Sequence, residues 1–258
     1  SPYQHGEVFV TADGAETDLD LGHYERFLNI EVKRSCSVTA GQIYEKVIKN
    51  ERAGAYLGGT IQVIPHITSE IKRAIHNAAK QMEAEVLVVE VGGTVGDLEG
   101  APFFEAIRQM QTENERDETV FVHVTWFPYI KATKELKTKP SQHSVRELRS
   151  IGIIPDFIIT RADYPVDRSL CKKLAHFCNI PEERVIPLKT ETIPYKAPLI
   201  LEKYGLGNSL VAQLGLKKKV KLPDWSTWKR IVKEVEKNYK KLLLLVWWES
   251  MWTFMMPI

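Results

Sequence analysis

Val86–Glu99 reads VLVVEVGGTVGDLE. Its opening run is aliphatic and broken only by Glu90, which predicts a strand buried on both faces, closed by a glycine-rich turn. Similar short runs lie on either side: EVFVT (Glu7–Thr11), TIQVI (Thr60–Ile64), VFVHV (Val120–Val124) and DFIIT (Asp156–Thr160). Amphipathic stretches separate them. One follows the cap residue Thr39, carries Ile43, Val47 and Ile48 on one face, and stops near Gly54. Another presents Ile71, Ile75, Ala78 and Met82 at helical spacing, and further helices are predicted over Pro102–Thr112, Ser141–Ser150 and Ser169–Phe177. The alternation predicts an α/β fold with a doubly wound, mainly parallel sheet up to about residue 215. In such sheets ligands collect where the strands end and the loops and helix N-termini converge.

Three segments carry candidate chemistry. Glu90 ends the predicted buried strand, where a carboxylate is costly unless it pairs or binds a metal. After it, Gly92, Gly93 and Gly96 free the backbone for close approach to a ligand, and Asp97 and Glu99 offer acceptors to hydroxyls. No Gly-Lys-Ser/Thr follows, so this is not a Walker A loop. The second segment, ADGAETDLDLGHYERF (Ala12–Phe27), sets Asp13, Glu16, Asp18 and Asp20 close together. As an extended segment it would point Asp18 and Asp20 to one side, a hard-oxygen arrangement suited to Mg²⁺ held together with substrate phosphates. The competing reading is an acidic surface loop. The third, ELKTKPSQH (Glu135–His143), flanks Thr138 with Lys137 and Lys139, and Pro140 and Ser141 open a helix. Ammonium groups beside a helix N-terminus make a phosphate site, against the alternative of solvated loop lysines. Lys172 and Lys173 read as surface residues by themselves.

The charge balance excludes some functions. Lys+Arg number 35 against Asp+Glu 33 in 258 residues, a formal net charge of +2, which argues against a dedicated nucleic-acid binder. The three cysteines, Cys36, Cys171 and Cys178, give neither a disulfide framework nor zinc spacing, so a reducing compartment is expected. The seven histidines show no ligand spacing. Beyond Gly215, Lys217–Lys219, Lys221 and Pro223 read as an exposed linker, followed by a helix capped by Ser226 with Trp228, Ile231, Val232, Val235 and Tyr239 on one stripe. The tail LLLLVWWESMWTFMMPI (Leu242–Ile258) is apolar but short of the about 20 residues a spanning helix needs.

Taken together, QHGEVFVT (Gln4–Thr11), DGAETDLDLGHYERF (Asp13–Phe27), IQVIPHITSEIK (Ile61–Lys72), EVGGTVGDLEGAPF (Glu90–Phe103), KTKPSQHSVREL (Lys137–Leu148) and FCNIPEE (Phe177–Glu183) resemble the amidoligase (synthetase) domain of the CTP synthase family. The resemblance runs from Ser1 to about Trp228. A linker with an amphipathic helix over 216–241 and an aberrant tail over 242–258 follow from composition, and the resemblance implies a P-loop-NTPase-like, dethiobiotin-synthetase-like domain over residues 1–215. It also implies the ATP-dependent amination of UTP to CTP through a 4-phosphorylated UTP, with ammonia normally supplied from glutamine by a separate glutaminase domain. By the same resemblance Asp20 and Glu90 would hold Mg²⁺, and with Lys137 would act in catalysis. Lys137, Thr138, Lys139, Pro140, Ser141, Gln142 and Lys173 would bind UTP or the feedback inhibitor CTP. Asp97, Leu98 and Glu99 would line that site, and Leu19 and Glu191 would serve nucleotide binding, Glu191 near the adenine of ATP. A cytoplasmic homotetramer that binds neither nucleic acid nor membrane is implied.

Family members begin with an additional strand and a P-loop carrying a Gly-Lys pair; Ser1 starts after it, so little or no ligase activity is expected of this chain alone. The alternative is a non-catalytic nucleotide-binding or co-assembling fragment of the same fold. The tail's Trp and Met excess admits an explanation at the level of the gene. Read one frame over, codons for Val246–Ile258 can encode Leu-Val-Gly-Lys-Tyr-Val-Asp-Leu-His-Asp-Ala-Tyr, which resembles the opening of the family's glutaminase domain. The tail is therefore expected to be a frameshifted reading rather than an anchor.

Overall fold

The computed structural model describes residues 8–114, 118–221 and 223–237; the expectations for Glu7, for Tyr239 and for the tail Leu242–Ile258 lie outside them. The chain divides into two compact units, Ser1–Asn114 and Glu115–Ile258.

In the first unit, β1 (Phe9–Val10) and β2 (Glu16–Thr17) pair antiparallel in the register Phe9↔Thr17 and Val10↔Glu16. The turn between them uses Gly14 at φ 77°, a conformation glycine adopts without strain. Helix α1 (Asp20–Leu28) follows at once. Its Gly22 lies against Phe9: a Cβ there would meet the ring at 2.7 Å, so the missing side chain lets the helix close on the hairpin. Helix α2 (Ala40–Arg52) starts as its sequence requires, with Thr39 accepting from the Gln42 amide while the Gln42 side chain returns to the Thr39 amide. Ile43 and Val47 of α2 meet Ile67, Ile71 of α3 (Thr68–Gln81) and Ala106 of α4 (Ala101–Glu113) in one core. Ile48 lies on the exposed side.

Two expected strands do not form here. Thr60–Ile64 gives way to a helical turn, Val63–Ile67, leading into α3. Pro65 has no N–H to donate to a ladder, and Ile67 is used in the helical core instead. Residues 86–91 lie outside every sheet among the described residues. Val86, Leu87, Val88 and Val89 are 53%, 37%, 86% and 46% exposed. A strand exists only through backbone bonds to a neighbour, and none pairs with this run in the described chain. Glu90 is accordingly exposed rather than buried, which removes the desolvation argument first made for it.

The second unit holds the parallel sheet. Strands β3 (Val122–Trp126), β6 (Phe157–Ala162) and β7 (Val185–Lys189) lie in the order β3-β6-β7, all parallel. The hairpin β4 (Tyr129–Ile130) and β5 (Glu135–Leu136) leads into α5 (Lys139–Ser150), and α6 (Arg168–Cys178) follows β6. Strand β6 alternates between two cores. Ile158 and Ala162 pack with Val145 of α5 and Cys171, Leu174 and Cys178 of α6. Phe157 and Ile159 pack on the other face with Leu201 of α7 (Ala197–Lys203) and Leu206 and Leu210 of α8 (Leu206–Gln213). Helices thus cover both faces of a parallel sheet, the α/β arrangement the sequence predicts. Residues 226–237 are helical. Ser226 is the first helical residue rather than the cap; Asp224 accepts from its amide and hydroxyl, both at 2.9 Å. The Trp228 indole donates to the Tyr195 carbonyl at 2.8 Å, so the apolar stripe has found a partner. No described helix is long and apolar enough to cross a membrane.

Candidate functional site

The acidic run of the first unit is extended only in part, with Glu16 in β2. Its last carboxylate opens a helix: Leu19 is the residue before α1 and Asp20 its first turn, where a negative charge is favoured by the helix dipole. Asp13 is structural. Both its oxygens accept from the Arg34 amide, at 3.0 and 3.1 Å, and Thr11 donates to it at 2.5 Å. The Thr11 bond is the main reason the Asp13 carboxyl is held below its ordinary range. Four residues after Asp20, hence on the same face of α1, stands Tyr24. Its phenol donates to Glu90 Oε2 across 66 residues of sequence. Desolvation pushes the Tyr24 phenol up first, and then the carboxylates of Glu90, Asp20 and Asp18. Of the sequence-predicted pair, Glu90 is thus bonded to Tyr24, and Asp20 stands one helical turn before that tyrosine, a residue that the sequence reading did not single out. Its signal was the i, i+4 spacing from Asp20.

Asp97, Leu98 and Glu99 occupy the loop before α4. Asp97 Oδ2 accepts from the Thr94 amide at 3.1 Å, and Gly93 and Gly96 take φ of 88° and 102°. Leu98 is 87% exposed and Glu99 is exposed. The loop is a turn closed by Asp97, with Leu98 and Glu99 exposed.

In the second unit the Lys137–Gln142 motif is built onto the sheet. The Lys137 amide donates to Pro128 at 2.9 Å, extending the β4–β5 hairpin. Thr138 immediately precedes α5, and Pro140 lies in its first turn. Ser141 is buried and donates to the Trp126 carbonyl at the end of β3, 2.9 Å away. Gln142 is 2% exposed; its amide nitrogen donates to Thr138 Oγ1 at 3.1 Å, while its Oε1 meets no donor among the described residues. An orphaned buried oxygen beside a helix N-terminus is a place where a ligand donor would be rewarded. Lys139 is exposed with its ammonium 5.7 Å from the Phe177 ring centroid.

Lys137 ion-pairs with Glu135, a partner two residues away that sequence reasoning passed over inside its own motif. The Lys137 bond, a bond from Thr133, and the charges of Lys137 and Lys173 hold the Glu135 carboxyl below its ordinary range. Lys137 and Lys173 therefore act on a common point. Glu191 stands elsewhere in this unit's bonding: it lies 3.8 Å from Lys196, which also pairs with Glu236 at 2.5 Å.

Magnesium can be tested against the donors in place. Among the described residues no group of three or more His, Cys, Asp or Glu side chains converges as a metal cage. Glu90, bonded to Tyr24, and Asp20, one helical turn before that tyrosine, are donors of the kind Mg²⁺ takes, one or two carboxylates with the rest of its shell from water and phosphate. They do not fit a closed structural site.

The family description CTP synthase N-terminus matches residues 1–216. Among curated proteins, the CTP synthase of Roseiflexus castenholzii is 55% identical over 244 residues, 95% of this chain and 44% of the relative. That of Dehalococcoides mccartyi is 55% identical over 236 residues, 92% of this chain and 43% of the relative. That of Chloroflexus aggregans is 54% identical over 242 residues, 94% and 44%. The chain spans less than half the length of the curated relatives it matches.

Proposed function

The chain belongs to the CTP synthase N-terminal family, and from that premise we propose that it is the amidoligase portion of such an enzyme, whose reaction is the ATP-dependent conversion of UTP to CTP. The γ-phosphoryl group of ATP passes to the 4-oxygen of the uracil ring and ADP departs. Ammonia then attacks C4 and phosphate leaves with the oxygen. The protein's task in such chemistry is positioning and charge compensation.

The observation that carries this reading is the start of α5. There two lysines act on one carboxylate beside a helix N-terminus, with a buried glutamine oxygen that meets no donor among the described residues. Lys137, Lys139 and Lys173 offset the triphosphate of UTP or of CTP bound as inhibitor. Thr138, Pro140, Ser141 and Gln142 set the backbone and amide groups that orient it. Glu135 pairs with Lys137; a triphosphate, with more charge and more acceptors, competes with it for the ammonium. Asp97, Leu98 and Glu99 line the nucleotide, Leu19 and Glu191 serve nucleotide binding, and Glu191 faces the adenine of ATP. Asp20 and Glu90 hold Mg²⁺, which when bound neutralises the crowded phosphate oxygens. A cytoplasmic homotetramer drawing ammonia from a glutaminase domain completes the reading.

Calorimetric titration of the full 258-residue chain with UTP tests it. Saturable binding is expected, displaced by CTP, and Lys137→Ala should weaken it at least about tenfold, near 1.4 kcal/mol. UTP binding that is absent, or unchanged by Lys137→Ala, would overturn it.

A further inference from the structure

We propose that Tyr24 is the positioning residue that brings Glu90 to Asp20, so that its phenol, rather than the chain fold alone, assembles the two carboxylates into one cation-binding pair. The inference rests on the reading of Asp20 and Glu90 as the magnesium ligands and adds the residue that puts them side by side.

Asp20 is fixed by its helix. It opens α1, and Gly22 lets that helix close on the β1–β2 hairpin. Among the described residues Glu90 has no comparable support. It belongs to an exposed run outside every described sheet, and the hydrogen bond from Tyr24 is the contact that directs its carboxylate. A glutamate with three rotatable bonds on such a run samples many rotamers, and each costs binding entropy when a cation selects one. Tyr24 removes that freedom from a well-chosen place. It stands one helical turn beyond Asp20 on the same face of α1, and its rigid ring carries the donor to Glu90. The bond takes Glu90 Oε2 as acceptor, so the cation is assigned to Oε1. Carboxylates that ligate metals are commonly held by such outer partners, whose loss weakens affinity 10–100-fold.

The probe is Mn²⁺, followed on the full chain by electron paramagnetic resonance of the free ion, with thermal unfolding in metal-free buffer alongside. The wild-type chain should bind, and Asp20→Asn and Glu90→Gln should abolish binding. Tyr24→Phe keeps the ring but drops the donor. It should weaken Mn²⁺ about tenfold with its metal-free unfolding midpoint within about 2 °C of wild type. Should that variant not fold, Tyr24→His restores a ring with a donor and should bind within about threefold of wild type. Unchanged affinity in Tyr24→Phe, or a loss in Tyr24→His as large as in Glu90→Gln, overturns the positioning role while leaving the metal ligands standing. Binding unaffected by Asp20→Asn and Glu90→Gln, or absent from the wild type, overturns the ligand reading and this inference with it.

Discussion

The imidazole of His123 lies on β3 with its Nε2 2.9 Å from the Ser144 hydroxyl and only 8% of the residue exposed. Desolvation pushes its pKa down from 6.5 to about 4, so the folded protein keeps the ring neutral where the unfolded chain would protonate it. The unfolded state then binds more protons between those two values, and stability rises with pH across that window. Folding is favoured in full above about pH 6.5 and is progressively lost as pH falls towards 4, by at most about 3 kcal/mol. Urea denaturation at pH 7.5, 6 and 5 should show this slope. His123→Gln, which keeps an amide for Ser144 and cannot titrate, should flatten it. An equal slope in both proteins would assign the pH dependence to other groups.

At the scale of elements, Asp156 ties three of them. Its Oδ2 accepts from the Phe121 amide at 2.9 Å just before β3, and its Oδ1 accepts from Gln213 Nε2 at 2.5 Å at the end of α8. Arg184, before β7, stands 3.9 Å away. Asp156→Ala orphans the amide and the glutamine together and should lower the unfolding free energy by about 2 kcal/mol; Asp156→Asn, which keeps an acceptor, should cost about half. Urea unfolding followed by circular dichroism reads the difference, and equal losses would mean that a neutral acceptor recovers nothing and that the carboxylate charge carries the effect. The same elements explain what could be read in advance. Helix α2 was legible because Thr39, Gln42 and the Ile43/Val47 stripe all agree, and β6 because DFIIT is apolar on both faces. Strand β7 escaped notice because Pro187 interrupts it; the strand is at the sheet edge, where a missing N–H is tolerated. Residues 86–91 have the composition of a strand without a described neighbour, and composition cannot report a neighbour. In the site, Lys137–Gln142 was visible because lysines, proline and a helix start are local signals. The Tyr24–Glu90 bond, spanning 66 residues, leaves no local trace.

Over the whole molecule, the near-balance of 35 basic and 33 acidic side chains leaves no long-range field to gather a polyanion, so any affinity for phosphate must come from local arrangement. Many of the cations are already answered: Lys72 by Glu113, Arg108 by Glu105, Arg168 by Glu182, Lys196 by Glu191 and Glu236. A duplex nucleic acid asks for a face of unanswered cations spaced along many phosphates, and its affinity comes from releasing their counterions together. A nucleoside triphosphate asks only for the few groups at the start of α5, where displacing Glu135 from Lys137 is a local exchange. The two ligands should therefore separate cleanly. At 0.15 M salt a 20-base-pair duplex should bind no tighter than about 100 µM in a mobility-shift assay, while UTP binds and weakens only modestly as salt is raised to 0.5 M. A duplex complex tighter than about 1 µM would show that the cations act as a surface, and the nucleotide reading of Lys137, Lys139 and Lys173 would lose its basis.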